Sequence, residues 1–155
     1  MAINYRDYSV LVVDDEDFAR DVVRKLLGHI GIHRIHEAAD GRKGLLELLR
    51  IKPSVVLCDV QMTPIDGRQF LKTLRDSKVA GISATPVIFL TADSKPDTVM
   101  FAKEYSADGY LVKPISLIHL KQRLDMVFAR ISPDGASFEI ADLPAGEPDG
   151  SEPSA

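Results

Sequence analysis

The sequence predicts an α/β protein: a doubly wound parallel sheet with helices on both faces. Three observations predict it. Short apolar runs alternate with longer amphipathic segments five times over. The first, third and fourth runs carry no internal polar residue, as strands buried on both faces require. Charged or hydroxyl residues stand immediately after four of the runs.

The first strand is read at residues 10–13, Val-Leu-Val-Val. Residues 17–29 follow as a helix, with Phe18, Val22, Val23, Leu26 and Leu27 at three- and four-residue spacing and Gly28 and Gly31 ending it. A weaker strand spans 32–38. Asp40-Gly41 then forms a turn and N-cap before a helix at 43–51, whose Leu45, Leu46, Leu48 and Leu49 make an apolar stripe. Pro53-Ser54 breaks the chain before a strand at 55–58. Asp66-Gly67 reads as a turn and helix start, and residues 68–76 as a helix with Phe70, Leu71 and Leu74 inward. Strands at 86–90 and 109–112 alternate with helices at 96–105 and 116–131, completing five β-then-α units.

Strand C-termini of an open parallel sheet share one edge, where ligands bind. Asp14 and Asp15 follow the first strand, Asp59 the third, Thr91 the fourth and Lys113 the fifth. The fold should therefore gather three carboxylates, a hydroxyl and an ammonium in one pocket. Such a set is equipped to bind a divalent metal and to accept a phosphoryl group on a carboxylate.

The 155 residues, 45% hydrophobic and 27% charged, suit one globular domain that buries roughly two-thirds of its unfolded surface. No apolar stretch approaches the ~20 residues of a membrane span. The N-terminal residues lack the apolar segment of a secretory signal, and the single cysteine, Cys58, excludes an internal disulfide. These features lead us to expect a soluble cytoplasmic protein without membrane insertion. Six acidic residues and no Lys or Arg lie in residues 132–155, so the net charge of −4 divides into a tail of −6 and a body of +2. No concentrated basic face suggests nucleic-acid binding. The tail, with its prolines and glycines among acids and only Phe138, Ile140 and Leu143 as sizeable hydrophobes, is expected to be disordered. The domain boundary is accordingly set between 1–131 and 132–155.

Leu11-Val12-Val13-Asp14-Asp15, the stretch from Asp59 to Gly67, Thr91-Ala92, and Asp108-Gly109-Tyr110-Leu111-Val112-Lys113-Pro114 occur in that order. As a set they resemble the CheY-like receiver domain of bacterial two-component response regulators, of the single-domain type, over residues 9–130. The resemblance implies a flavodoxin-like (βα)5 sheet with strand order 2-1-3-4-5. It implies Asp59 as phosphoacceptor and Mg²⁺ as cofactor. Asp15 and Asp59 would bind the metal directly, Asp14 mostly through water, and Gln61 through its backbone carbonyl. Lys113 would stand beside the transferring oxygens, with a cis bond to Pro114, and Thr91 would donate its hydroxyl to the phosphoryl group. Ala92 would leave room for the donor. Tyr110 would rotate inward as Thr91 moves, altering a face built from the 96–105 helix, the last strand and the last helix. Gln61 and Asp93 would tune phosphoryl lifetime.

The implied protein is a phosphorelay switch rather than a conventional enzyme, although it catalyses its own aspartyl phosphorylation and dephosphorylation. Its partners would be a histidine kinase or histidine phosphotransfer protein and a downstream protein target, and it would act as a monomer or a phosphorylation-dependent dimer. Residues 132–155 leave no room for a DNA-binding output domain. The alternatives are a phosphorylation-independent interaction module, or a receiver cut from a longer regulator with 132–155 as linker. A small-molecule enzyme of the same architecture is disfavoured by the absence of a phosphate-cradling G-x-x-x-x-G-K-[ST] loop. Cys58 reads as an inert core thiol, and His33 and His36 lack further metal ligands. Two positions depart from the family pattern: Thr63 separates Met62 from Pro64, and Ser106 stands where glycine more readily adopts positive φ.

Overall fold

The computed structural model describes residues 2–92, 100 and 102–131. A 3-10 turn, Tyr5–Asp7, precedes β1 (Ser9–Val13), α1 (Asp17–Ile30), β2 (Arg34–Ala38), α2 (Gly41–Ile51), β3 (Val55–Asp59), α3 (Gly67–Arg75), β4 (Val87–Thr91), β5 (Gly109–Val112) and α4 (Leu117–Phe128). The strands form one parallel sheet in the order β2-β1-β3-β4-β5. This is the doubly wound, flavodoxin-like order. Of the helix expected at 96–105, residues 96–99 and 101 lie outside the described residues, while Met100 and residues 102–104 are helical. The 132–155 tail and Asp93 also lie outside them.

Alternation along the strands divides the core into two layers. Val10, Val12, Val55, Leu57, Ile88 and Leu90 pack on one face with Val23 and Leu27 of α1 and Leu120 and Leu124 of α4. Leu11, Val13, Val56, Cys58, Val87 and Phe89 pack on the other with Leu48 of α2 and Phe70, Leu71 and Leu74 of α3. Every residue of β1, β3 and β4 is buried, which explains their unbroken apolar runs. Each large aliphatic side chain so buried contributes roughly 1.5–3 kcal/mol relative to exposure.

Some helix faces differ from the sequence reading. Phe18, placed on the inner stripe of α1, is 79% exposed, and Leu46 and Leu49 of α2 are 58% and 44% exposed. The covered stripe of α2 is narrower, with Leu45 and Leu48 inward beside Gly41 and Gly44. Helix α1 also runs through Gly28 to Ile30, and Gly31 alone caps it, at φ +111°. Ser106 takes the left-handed conformation itself, at φ +59°. At the N-terminal end of the sheet, Arg75 donates to the carbonyls of Ser83, Thr85, Tyr105 and Ser106 and pairs with Asp108. Asp108 in turn accepts from the Val87 N–H and pairs with Arg130.

Helix α3 begins at a capping box. The Asp66 carboxylate accepts the Gln69 N–H at 2.9 Å and the Gln69 side chain accepts the Asp66 N–H at 3.1 Å. Gly67 follows, and its N–H donates to the Val60 carbonyl at 2.8 Å. A β-carbon there would stand 2.6 Å from the Asp59 carbonyl oxygen and 2.8 Å from Val60 Cα, both backbone atoms. Only glycine lets the helix start approach the end of β3 this closely. Gly67→Ala is therefore expected to destabilise the protein by about 2 kcal/mol or more. Gly28→Ala, which meets nothing within 4 Å in a helix, should instead stabilise it, by about 0.5–1 kcal/mol. Urea unfolding of both variants checks the two signs.

Candidate functional site

The last residue of a buried strand, or the one after it, can aim a polar group out of the core without disturbing the ladder. Asp59 ends β3 and Thr91 ends β4, whereas Asp14 and Lys113 immediately follow β1 and β5. Ladder-like bonds hold these ends together: Asp14 N–H to the Ala38 carbonyl at 3.1 Å, Val60 N–H to Leu90 at 3.0 Å, and Lys113 N–H to Thr91 at 2.7 Å. The three carboxylates and the ammonium converge. Single carboxylate oxygens of Asp14, Asp15 and Asp59 lie within 4.8 Å of one another. The Lys113 ammonium stands 3.0 Å from Asp14 Oδ2 and 3.4 Å from Asp59 Oδ1.

These groups differ in exposure. Asp14, Asp59 and Thr91 are buried, Lys113 is partly buried, and Asp15 and Gln61 are exposed. Asp14 Oδ1 accepts the Glu16 N–H at 2.9 Å, which locks its carboxylate between that amide and Lys113. Burial, then the negative charge of Asp14, raise the Asp59 pKa to about 6, against the lowering effect of Lys113 and of the Gln61 backbone N–H. Burial works against the Lys113 ammonium, but its bonds to Asp14 and Asp59 win and its pKa is raised. Burial beside Asp59 pushes the Cys58 thiol well up, so it stays protonated, as an inert core thiol should.

Thr91 and Tyr110 share one face of the sheet, since Phe89 pairs with Tyr110 and Thr91 with Val112 in the parallel register. Tyr110 is half-buried, packed against the α2–α3 core layer, and also lines a groove with Val112, Lys113, His119, Arg123 and Met126. The Lys113–Pro114 bond is cis, as expected, and so is Thr63–Pro64. Arg20 was not singled out from the sequence. Its guanidinium donates to the Asp14 carbonyl at 2.5 Å. A bond to a backbone oxygen leaves no signal in a sequence motif, since every residue carries that oxygen.

Three crowded carboxylates facing one ammonium leave local negative charge for a cation to neutralise. All donors are oxygen, which suits a small hard divalent ion and not a soft one. Few protein ligands and an open side fit an ion that retains waters. The residues present therefore fit magnesium.

With its folded pKa above the unfolded value, Asp59 binds more protons in the native state than in the unfolded one between about pH 4 and 6. Metal-free stability thus falls as pH rises through that window, and the full cost of the charge persists above it. At about pH 7.5 in chelator-treated buffer, Asp59→Asn should be more stable than the parent by roughly 1–3 kcal/mol, allowing for solvent screening. The difference should close towards about pH 4, where both side chains are neutral. Denaturant unfolding across pH checks the size and direction.

The response regulator receiver domain family matches residues 10–125. Chemotaxis protein CheY-3 of Vibrio cholerae is 32% identical over 130 residues, which span 84% of this chain and 98% of that protein. A protein-glutamate methylesterase/protein-glutamine glutaminase of Anaeromyxobacter dehalogenans is 40% identical over 110 residues, 70% of this chain but 30% of that protein. The solved structure of Vibrio cholerae CheY4 superposes with a TM-score of 0.71 at 32% identity, covering 77% of this chain and 98% of its own. With five parallel strands in the 2-1-3-4-5 order and acids, hydroxyl and lysine at their C-terminal edge, the chain belongs to the response regulator receiver domain family and is CheY-like.

Proposed function

We propose that this receiver domain is a phosphorylation switch in a two-component phosphorelay, with Asp59 as phosphoacceptor. The observation that carries the reading is the contact of the Lys113 ammonium with both Asp14 and Asp59 inside the three-carboxylate cluster. The donor is a phosphohistidine of a histidine kinase or histidine phosphotransfer protein. An Asp59 carboxylate oxygen attacks phosphorus, the new O–P bond forms as the P–N bond breaks, and the electron pair leaves on the donor imidazole, which takes up a proton.

Both reactants are anionic, and the loose transition state needs positioning and charge more than covalent assistance. Magnesium, when held by Asp14, Asp15, Asp59 and the Gln61 carbonyl, supplies charge that offsets this repulsion. Lys113 sets a fixed cation beside the oxygens in transfer, and burial of Asp14 and Asp59 strengthens that interaction by excluding water. The raised Asp59 pKa also makes proton and metal compete, so magnesium binding should strengthen as pH rises through about 6.

Thr91 donates its hydroxyl to the phosphoryl group. Its displacement frees space on the face it shares with Tyr110, and an inward turn of Tyr110 reshapes the groove against α4. Output is binding of a downstream protein, in the cytoplasm, by a monomer or phosphorylation-dependent dimer. Gln61, which is exposed, and Asp93 stand two positions after Asp59 and Thr91 in the sequence and tune phosphoryl lifetime.

Intact-mass measurement after incubation with acetyl phosphate tests the reading. A single magnesium-dependent phosphoryl adduct is expected, absent in Asp59→Asn. Failure with acetyl phosphate and with a phosphorylated histidine donor, while magnesium still binds, would replace the switch by a phosphorylation-independent interaction module.

A further inference from the structure

Asp14 is held at every polar atom. Its N–H donates to Ala38 of β2, Oδ1 accepts the Glu16 amide and Oδ2 accepts Lys113. The remaining group, the carbonyl, accepts from Arg20 Nη1 at 2.5 Å. That carbonyl belongs to the peptide joining Asp14 to Asp15, so fixing the oxygen fixes the peptide plane and with it the start of Asp15. Among the described residues the exposed Asp15 carboxylate has no hydrogen bond or ion pair of its own, so its placement in the cluster rests on this backbone.

Arg20 is itself anchored. Its side chain is only 12% exposed, its Nε donates to Glu37 Oε1 of β2 at 3.1 Å, and its Nη2 meets Asp17 in the first turn of α1. The planar fork therefore joins the β1–α1 turn, the edge strand and the helix in one geometry. Arg24, one turn further on, offers an internal contrast. It pairs with the same Glu37, at 3.2 Å, and with Asp21, and is 48% exposed. It has no contact with Asp14 among the described hydrogen bonds.

We propose that Arg20 is a positioning residue of the cation pocket: it holds the Asp14–Asp15 peptide so that the Asp15 carboxylate is presented to magnesium. The inference rests on the magnesium reading of the pocket above, and its own failure leaves that reading standing. Charge and position make opposite predictions for Arg20. As a nearby cation it opposes metal binding by Coulomb repulsion, so removing it for that reason alone would tighten magnesium. As a tether it favours binding, so removing it loosens a ligand and weakens magnesium.

Magnesium chloride titration of the full chain, followed by amide NMR of residues 14–16 and by calorimetry, separates these. Arg20→Met is expected to bind magnesium about 10-fold more weakly, the usual scale for outer partners of metal ligands. Arg20→Lys, which keeps the charge but cannot reach Glu37 and the Asp14 carbonyl together, should fall between. Arg24→Met should bind like the parent. In metal-free buffer the Asp15 and Glu16 amides should shift in Arg20→Met and not in Arg24→Met. Parent-like or tighter binding by Arg20→Met overturns the inference, and so does equal weakening by Arg24→Met. Should Arg20→Met not fold, Arg20→Lys and Glu37→Gln carry the test, and parent-like affinity in both overturns it. A folded parent that binds no magnesium overturns the pocket reading and this inference together.

Discussion

The Lys113 ammonium between Asp14 and Asp59 is the contact on which the rest depends. Two buried carboxylates and an exposed third, brought within 4.8 Å, repel one another. A folded chain tolerates such crowding only where a cation offsets it and surrounding structure leaves the acids nowhere else to go. Lys113 supplies part of the charge. Burial first, and then the charge of Asp14, still hold the Asp59 pKa up against that cation. The same imbalance that costs stability in the metal-free protein is what gives a divalent cation something to gain by entering.

The fold supplies the enforcement. Strands β1, β3 and β4 are buried along their whole length between two apolar layers, so their C-terminal ends cannot splay apart. Gly67 brings α3 into contact with the Asp59 carbonyl, and the Asp66–Gln69 box fixes the helix at that point. On the other side, Arg20 and the Glu16 amide hold the β1–α1 turn. The opposite end of the sheet is clamped through Arg75 and Asp108. Tyr110, half-buried on β5, packs against one core layer and flanks a groove beside α4.

The three buried strands were legible because burial on both faces leaves an unbroken apolar run. Acids, hydroxyl and lysine were legible as a set because a parallel sheet maps strand ends onto one edge. Helix faces were less so. Periodicity assigns Phe18, Leu46 and Leu49 to an inner stripe, but a helix on a sheet covers a narrower strip than its apolar residues span, and these three face outward. The Arg20 tether had no sequence signature, since its partner at Asp14 is a backbone oxygen that any residue would offer. The stacking of Tyr8 on Phe128, with ring centres 4.1 Å apart, joins residues 120 positions apart and lies beyond any local pattern. Ser106 shows the converse case: the backbone kept the left-handed conformation although the residue there was not glycine.

Titration of the Asp59 carboxyl by carbon-13 NMR, with and without magnesium, reads the charge balance of the acid cluster at its centre. Burial and the neighbouring Asp14 charge predict a midpoint of about 6 in the metal-free protein. Saturating magnesium should lower that midpoint by more than about one unit, because a bound cation favours the carboxylate. A metal-free midpoint near the ordinary aspartate value of about 3.9, unmoved by magnesium, would contradict it: the three acids would then be neither crowded nor poised for a cation.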